Sequence, residues 1–255
     1  MVESFEINIL GAVVALVATM VGTFSGGGSA LILFPALLIF APYGYIELLT
    51  VAKVGAAMMT FVAGNIHFKK QKIKKELLFT MILGGLLGTA LGTYLIQYQL
   101  NEALYKAIMG LFMISSSVYI FLSREKIIDE VQKNKFKTSS LVLIFLAAFS
   151  LNILNGIFGG TGIMMSTFLV FVISLSFLEA SAYTMISYAV VNTIQAGYLL
   201  ATQSVPLGLL LFVLSGSIIG SFIGTNLQYL KGNSWVKAAA MLMMFLLGVK
   251  MLLNF

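Results

Sequence analysis

The chain has 255 residues, of which 60% are hydrophobic and only 9% are charged, and its mean hydropathy is +1.02. In soluble domains roughly a quarter of the residues are charged, so this composition excludes a soluble globule and a disordered chain. The absence of cysteine excludes a disulfide-stabilised scaffold. The net charge of +6 comes from clustered basic residues, a pattern typical of membrane topology rather than of nucleic-acid binding.

Long uncharged stretches predict an all-α integral membrane protein. Stretches of 40, 41 and 51 residues, at 7–46, 138–178 and 180–230, contain no Asp, Glu, Lys or Arg, whereas one helical span needs about 20 residues. The N-terminal sequence has no basic residue before its apolar stretch, so we expect no cleaved signal peptide. The predicted segments, in chain order, are 7–24, 29–41, 47–66, 77–98, 102–122, 139–157, 163–175, 180–199, 205–228 and 233–253.

Two pairs of similar stretches indicate an internal duplication. The stretch 22–28, GTFSGGG, matches 156–162, GIFGGTG, at an offset of 134 residues. A second match, at an offset of 132, joins two ladders with a glycine at every fourth residue: Gly84, Gly88, Gly92 and Gly216, Gly220, Gly224. Matches in the same order and at nearly the same offset predict two repeats. We interpret the glycine ladders themselves as surfaces for close helix packing.

The distribution of charge predicts that the two repeats are inverted. The loop after the third segment carries five lysines, whereas the corresponding loop of the second half, 200–206, has no charge. Basic loops lie on the cytoplasmic side, so equivalent loops face opposite sides of the membrane. This requires an odd number of crossings per half and places both termini outside. We therefore predict a first membrane repeat at 1–122, a cytoplasmic basic linker at 123–138 and a second membrane repeat at 139–255.

The repeats are expected to contain about five helical segments each, or 8–10 membrane segments in all. The segments 29–41 and 163–175 have only 13 residues each, so they are either short spans or re-entrant. Each half thus contains one broken or re-entrant pair. Glu47 and Glu179 are predicted to begin equivalent helices, where a carboxylate complements the helix N-terminus.

The glycine clusters predict helix breaks inside the membrane. A break is tolerated there only where it is buried in protein or lines a polar cavity, and paired breaks in equivalent segments indicate a transporter binding site. Glycine allows close approach of backbone N–H groups, and a helix that starts after it favours an anion. The hydroxyls of Ser25, Ser29 and Thr161 add donors. The alternative is that these glycines serve only close packing or a tight turn.

Lys53 is the second candidate, because it lies inside a predicted span with no acid at helical spacing. Such a lysine is costly in the membrane, so we expect it to face a cavity; the alternative is that it reaches the outer interface. Two polar stripes are predicted to face the same interior. They consist of Lys53, Ala57, Thr60 and Gly64 in the first half and Thr184, Tyr188, Asn192 and Gln195 in the second.

Several chemistries are not indicated by the sequence. It has no nucleotide-binding loop of the form GxxxxGK[ST], and a single histidine without cysteine provides no metal cluster. We therefore predict no cofactor, no metal and no enzymatic activity, and energy that comes from gradients. His67 is expected at a solvated interface, with a metal or proton-relay role as the alternative.

The stretches GTFSGGGSALILFPALL, NGIFGGTGIMMSTFLVF and AGNIHFKKQKI resemble the TauE/SafE sulfite exporter family over nearly the whole chain. The resemblance implies about eight spans and export of sulfite, sulfoacetate or another small organosulfur anion. It implicates Gly26, Gly27, Gly28, Pro35, Gly160 and Gly162. Leu169 stands where symmetry predicts a second proline, which predicts a different shape for the second break.

Together these patterns predict a multi-pass exporter of a small anion in the cell inner membrane, working by alternating access. The expected partners are the anionic substrate and the lipid bilayer, without nucleic acid, and a second copy of the chain is a candidate partner. The alternatives are an anion channel and a non-transporting scaffold or assembly factor. The candidate substrate-binding residues are Ser25, Gly26, Gly27, Gly28, Ser29, Lys53, Asn155, Gly159, Gly160, Thr161, Gly162 and Asn192.

Overall fold

A computed structural model of the chain describes residues 2–95, 110, 111, 113–115, 117, 118 and 138–253, which contain helices and no strand. The predicted linker 123–138, except its last residue, and most of the predicted segment 102–122 lie outside the described residues. The long and short helices are α1 (Val2–Phe24), α2 (Ala30–Phe40), α3 (Tyr45–Lys70), α4 (Lys75–Leu95), α5 (Thr138–Phe158), α6 (Gly162–Ile173), α7 (Phe177–Thr202), α8 (Leu207–Lys231) and α9 (Asn233–Leu253).

Five of these helices are long and apolar enough to cross a membrane: Phe5–Phe24, Tyr45–Lys70, Lys75–Leu95, Ser139–Ile157 and Leu207–Lys231. The predicted all-α, multi-pass membrane protein is confirmed. α2 and α6 have 11 and 12 residues, so they extend about 16 and 18 Å and cannot cross a hydrocarbon core of about 30 Å by themselves.

One face of each short helix is buried against the long helices, in two apolar cores. One core joins α2 to α1, α3 and α8 and includes the fully buried Leu33 and Leu37. The other joins α6 to α4, α5 and α7 and includes the fully buried Met165 and Leu169. Burying α2 and α6 in protein meets the condition under which a partial crossing is tolerated in a membrane.

The glycine ladders bring helix backbones into contact, as predicted. A Cβ on Gly88 or Gly92 would overlap the carbonyl oxygen of Phe149 or Ile153 on α5, and one on Gly220 or Gly224 would overlap a carbonyl oxygen of α1. Any side chain at these positions would push the two helices apart. The ladders therefore fix the contacts between α4 and α5 and between α8 and α1.

Contacts between helices also give their directions. α1 runs parallel to α8, because Gly216, Gly220 and Gly224 meet successively later carbonyls of α1, and α4 runs parallel to α5 in the same way. α3 runs antiparallel to its counterpart α7, because Lys53 contacts Gln195 whereas Gly64 contacts Met185. Equivalent helices in opposite directions support the inverted repeat, which stays a prediction.

The helix starts that were predicted from Glu47 and Glu179 are confirmed. Glu47 Oε2 accepts a hydrogen bond of 3.0 Å from Gly44 N at the start of α3, and Glu179 Oε2 accepts one of 3.0 Å from Ser176 N at the start of α7. In each helix the glutamate is the third residue, where its carboxylate satisfies a free backbone N–H.

His67 is not at a solvated interface, and that prediction was wrong. The side chain is fully buried, and its Nδ1 lies 2.7 Å from the hydroxyl of Tyr229. The end of α8 covers this part of α3, so that Lys70, one turn further along, reaches Asn226 Oδ1 at 3.1 Å. The sequence could not show this cover, because His67 and Tyr229 are 162 residues apart.

Candidate functional site

The structure breaks the helices at both predicted places. Residues 25–29 separate α1 from α2, and residues 159–161 separate α5 from α6. Three consecutive glycines in the first break have positive φ, with 133° at Gly27, and in the second break Gly159 and Gly160 have φ of 81° and 84°. L-residues with a side chain rarely adopt this conformation, so the glycines are required where the chain reverses. The breaks differ in their number of such residues, in line with the predicted difference in shape.

The two breaks meet inside the protein. A Cβ on Gly27 would lie 2.6 Å from the carbonyl carbon of Gly162, so only a glycine at 27 lets the two backbones come this close. Ser166, in the first turns of α6, donates a hydrogen bond of 2.8 Å to Gly26 O, and its Oγ lies 3.0 Å from Thr184 Oγ1, which can donate to it. The start of α6 is therefore tied to the break in the other half.

Both short helices begin at this junction without a side-chain cap. The N-cap residues, Ser29 for α2 and Thr161 for α6, make no capping hydrogen bond. Ser29 Oγ is buried and has no hydrogen-bond partner among the described residues. The first N–H groups of a helix have no partner within the helix. At α2, Leu31 N and Ile32 N donate to Gly28 O and Ser29 O at 3.1 and 3.0 Å, so the free donors lie mainly at the start of α6. Both helix starts carry a partial positive charge.

A small cavity lies at the junction and is bounded by both breaks and by α3 and α7. Among the described residues, its lining contains no Asp, Glu, Lys, Arg or His. It is formed by Gly27, Gly28, Ser29, Ala30, Ala56, Met59, Thr60, Asn155, Gly160, Gly162, Thr184, Met185, Tyr188 and Asn192. Seven of these are among the twelve residues predicted from the sequence.

Hydrogen bonds orient the polar groups of the lining. Asn155 Nδ2 donates to Asn192 Oδ1 at 2.9 Å, which joins the end of α5 to α7. The hydroxyls of Thr161 and Tyr188 are 3.0 Å apart, which joins the second break to the same helix. Thr60 Oγ1 donates back to carbonyls of its own helix, at 3.0 Å to Ala56 O. The lining is therefore neutral, rich in N–H and O–H groups, and partly pre-oriented.

The other five predicted residues lie around the cavity rather than on its wall. Ser25 Oγ donates to Gly22 O at 3.2 Å, and Gly26 O accepts a hydrogen bond from Ser166. Both residues therefore stabilise the conformation of the first break. Thr161 lies behind Tyr188, and Gly159 lies beside Lys53. Whether any of the twelve residues contacts a substrate stays a prediction.

Lys53 is buried, with 4% of its surface exposed, so the alternative that it reaches the outer interface was wrong. Its Nζ donates to Asn155 O, to Gly156 O at 3.2 Å and to Gln195 Oε1 at 3.3 Å. Three acceptors match the three N–H groups of an ammonium, and two of them are final carbonyls of α5, where positive charge is favourable. Lys53 thus caps the carbonyl end of α5, next to Asn155.

The predicted polar stripes of α3 and α7 face each other. Lys53 meets Gln195, and Thr60 Oγ1 lies 3.4 Å from Tyr188 O. Thr60, Thr184 and Tyr188 line the cavity but were not among the twelve predicted residues. Their positions in the predicted polar stripes were the sequence signal that could have identified these three residues as part of the site. No sequence signal distinguishes Met59 and Met185 from ordinary core residues.

Comparison with known proteins decides the family. A family model described as "Sulfite exporter TauE/SafE" matches residues 11–251. The chain belongs to the TauE/SafE family. A "Probable membrane transporter protein" of Haemophilus influenzae is 26% identical over 239 residues, which cover 93% of this chain and 91% of the relative. No solved structure was found to match. The predicted family is confirmed, and both findings support a membrane transporter.

In this TauE/SafE protein the residues that the resemblance implicated are divided between the cavity and its surroundings. Gly27, Gly28, Gly160 and Gly162 line the cavity, whereas Gly26 accepts the hydrogen bond from Ser166. Pro35 lies inside α2, and its counterpart Leu169 is fully buried in the core around α6.

Proposed function

We propose that the protein exports a small anion, most readily sulfite or an organosulfonate or other organosulfur anion, across the plasma membrane. The anion binds in the cavity between the two helix breaks, and Lys53 holds the end of α5 that forms one wall of the site. This is transport, and no chemical conversion of the anion is required.

One observation carries the proposal. Two helices without side-chain caps begin at a cavity whose described lining contains hydroxyls, amides and glycine backbone and no charged side chain. Backbone N–H groups at a helix start are a general anion site, and the absence of a carboxylate removes the main source of repulsion. A neutral lining also favours release, which a transporter needs as much as binding.

The relation of the two halves supports alternating access. α3 and its predicted counterpart α7 run in opposite directions, and both line the cavity together with the two breaks. In transporters with inverted repeats, the site at the interface is exposed to each side in turn as one half moves against the other. An inside-negative potential favours export of an anion by about 2.3 kcal/mol per charge per 100 mV, so a gradient alone can drive it.

The direct test is flux through purified protein in liposomes. We expect efflux of sulfite or of a short alkanesulfonate that saturates with concentration and is faster when the membrane potential favours anion exit. Flux that never saturates would favour a channel. No movement of sulfite, sulfonate or carboxylate at any potential would favour a scaffold and overturn the proposal.

A glycine in the first break provides a matched pair of variants. Gly27→Ala adds a Cβ against the backbone of Gly162 at a φ of 133°, so we expect transport to be lost. Gly232→Ala also has positive φ, 78°, but its Cβ would meet no atom within 4 Å. It carries the backbone strain without the contact, and we expect its flux to be close to that of the native chain. Equal flux in the two variants would contradict the role of the junction.

A further inference from the structure

A second polar cluster lies at the end of the molecule where the basic loop with Lys69, Lys70 and Lys72 is. His67 on α3 contacts the hydroxyl of Tyr229 on α8 through Nδ1 at 2.7 Å, and Gln228 lies beside the imidazole. Lys70 Nζ lies 4.4 Å from the centre of the Tyr229 ring. The histidine is fully buried, and nothing in the proposed anion site uses it.

The cluster is joined to the first helix break. Gln228 Nε2 donates to Phe24 O, the last residue of α1, at 3.0 Å and to Ser181 Oγ on α7 at 3.1 Å. Ser181 also lies beside Gly26 in that break. Four helices, α1, α3, α7 and α8, therefore meet at the His67 cluster, which lies between the break and the basic end of the protein.

Buried hydroxyl side chains of α8 lie in a row between the cluster and the cavity, and we call this row the polar track. Ser221 Oγ donates to Met59 O at 2.8 Å, and Met59 lines the cavity. Thr225, one turn further along α8, is fully buried between that contact and the contact of His67 with Tyr229. Separation of α3 from α8 at His67 would open this track toward the basic end.

Charge makes the closed arrangement incompatible with a protonated histidine. Among the described residues, the charged or titratable groups that face the imidazole are Lys70 of its own helix and Tyr229 of α8. α1 and α7 reach the cluster through Phe24 O and Ser181 Oγ, which are uncharged. A buried imidazolium would have no described carboxylate to compensate it and an ammonium nearby, whereas the same group in water is well solvated.

We propose that His67 is a proton-binding site that controls the basic end of the transport path. This inference rests on the proposed function. The basic end is closed while His67 is neutral, and a proton binds when that end opens and water reaches the imidazole. Because the proton binds the open state preferentially, acidification favours opening. Anion movement through this end is then linked to proton binding at a group outside the anion site.

The test measures opening without any anion. The chain has no cysteine, so T225C introduces a single thiol into the buried track, and K72C provides an exposed thiol in the basic loop that reports the pH dependence of the labelling reaction itself. We expect the ratio of labelling rates, T225C to K72C, to rise about five-fold or more between about pH 8 and pH 5.5. When H67N or H67Q is added to the T225C and K72C variants, this ratio of labelling rates should no longer rise as the pH is lowered.

Y229F keeps the test decisive if the histidine variants do not fold. It removes the hydroxyl that holds Nδ1 in the closed state, so the ratio at about pH 8 should increase about five-fold while its pH dependence persists. A ratio that is constant with pH in the native background, or the same rise in H67N and H67Q, would overturn the inference. Failure of sulfite flux at every pH would instead overturn the proposed function and leave the labelling result standing.

Discussion

Lys53 illustrates what a single residue contributes at this site. A lysine in the middle of a hydrophobic segment is costly, and the sequence therefore indicated an interior position. The structure adds that the ammonium is fully occupied by Asn155 O, Gly156 O and Gln195 Oε1. These acceptors are 102 to 142 residues away in sequence, so no local pattern could identify them. Lys53 acts on the cavity through Asn155, whose side chain lines it.

Lys53→Met should lower both stability and transport rate. It removes the Nζ hydrogen bonds to Asn155 O, Gly156 O and Gln195 Oε1 and a cation from the end of α5, so we expect a loss of about 1–3 kcal/mol in the free energy of unfolding. Thermal unfolding in detergent and liposome flux provide the readouts. Lys69→Met removes an exposed lysine from the same helix and is the control. If both variants had native stability and flux, the assigned role of Lys53 would be wrong.

Tyr188 provides a test at the second break. Its hydroxyl, 3.0 Å from Thr161 Oγ1, lies where α6 begins, and the ring lines the cavity. Tyr188→Phe keeps the ring and removes one hydrogen bond, so we expect the KM for the transported anion to rise about five-fold. Tyr198→Phe changes a tyrosine that is 53% exposed on the same helix and should leave KM unchanged. Concentration-dependent flux measures both, and an unchanged KM in Tyr188→Phe would contradict an anion-facing position.

At the scale of helices, composition and spacing predicted most of the architecture. Both breaks, the helix starts at Glu47 and Glu179 and the close packing of the glycine ladders follow from local chemistry that is visible in the sequence. Such features depend on residues a few positions apart. The buried environment of His67 depends on α8 lying over α3, and that is a property of the packed molecule.

The glycine ladders lead to a prediction about helix packing. Gly88→Ala places a methyl group against the backbone carbonyl of Phe149 and should separate α4 from α5, at a cost of about 1–3 kcal/mol in the free energy of unfolding. Gly197→Ala is the matched control, because a Cβ there would meet no atom within 4 Å. Thermal unfolding compares the two. Equal melting temperatures would show that the ladder does not hold the helices together.

At the scale of the whole molecule, the two helix breaks line one cavity. α1 packs beside α8 and α4 beside α5, so the break at the end of α1 and the break at the end of α5 are brought to a common junction. Charge predicted the opposite orientation of equivalent loops, but neither charge nor periodicity could show that Gly27 touches Gly162. That contact makes the cavity a property of both halves together.

The proposed binding of a small anion between the two breaks can be tested by diffraction. Crystals grown with selenite, a heavier analogue of sulfite, would locate the anion through the anomalous signal of selenium. We expect a selenium peak in the cavity between Gly27 and Gly162, within reach of Ser29 and Asn192, and no such peak in Gly27→Ala. A selenium site elsewhere in the native protein, with the cavity empty, would contradict this proposal.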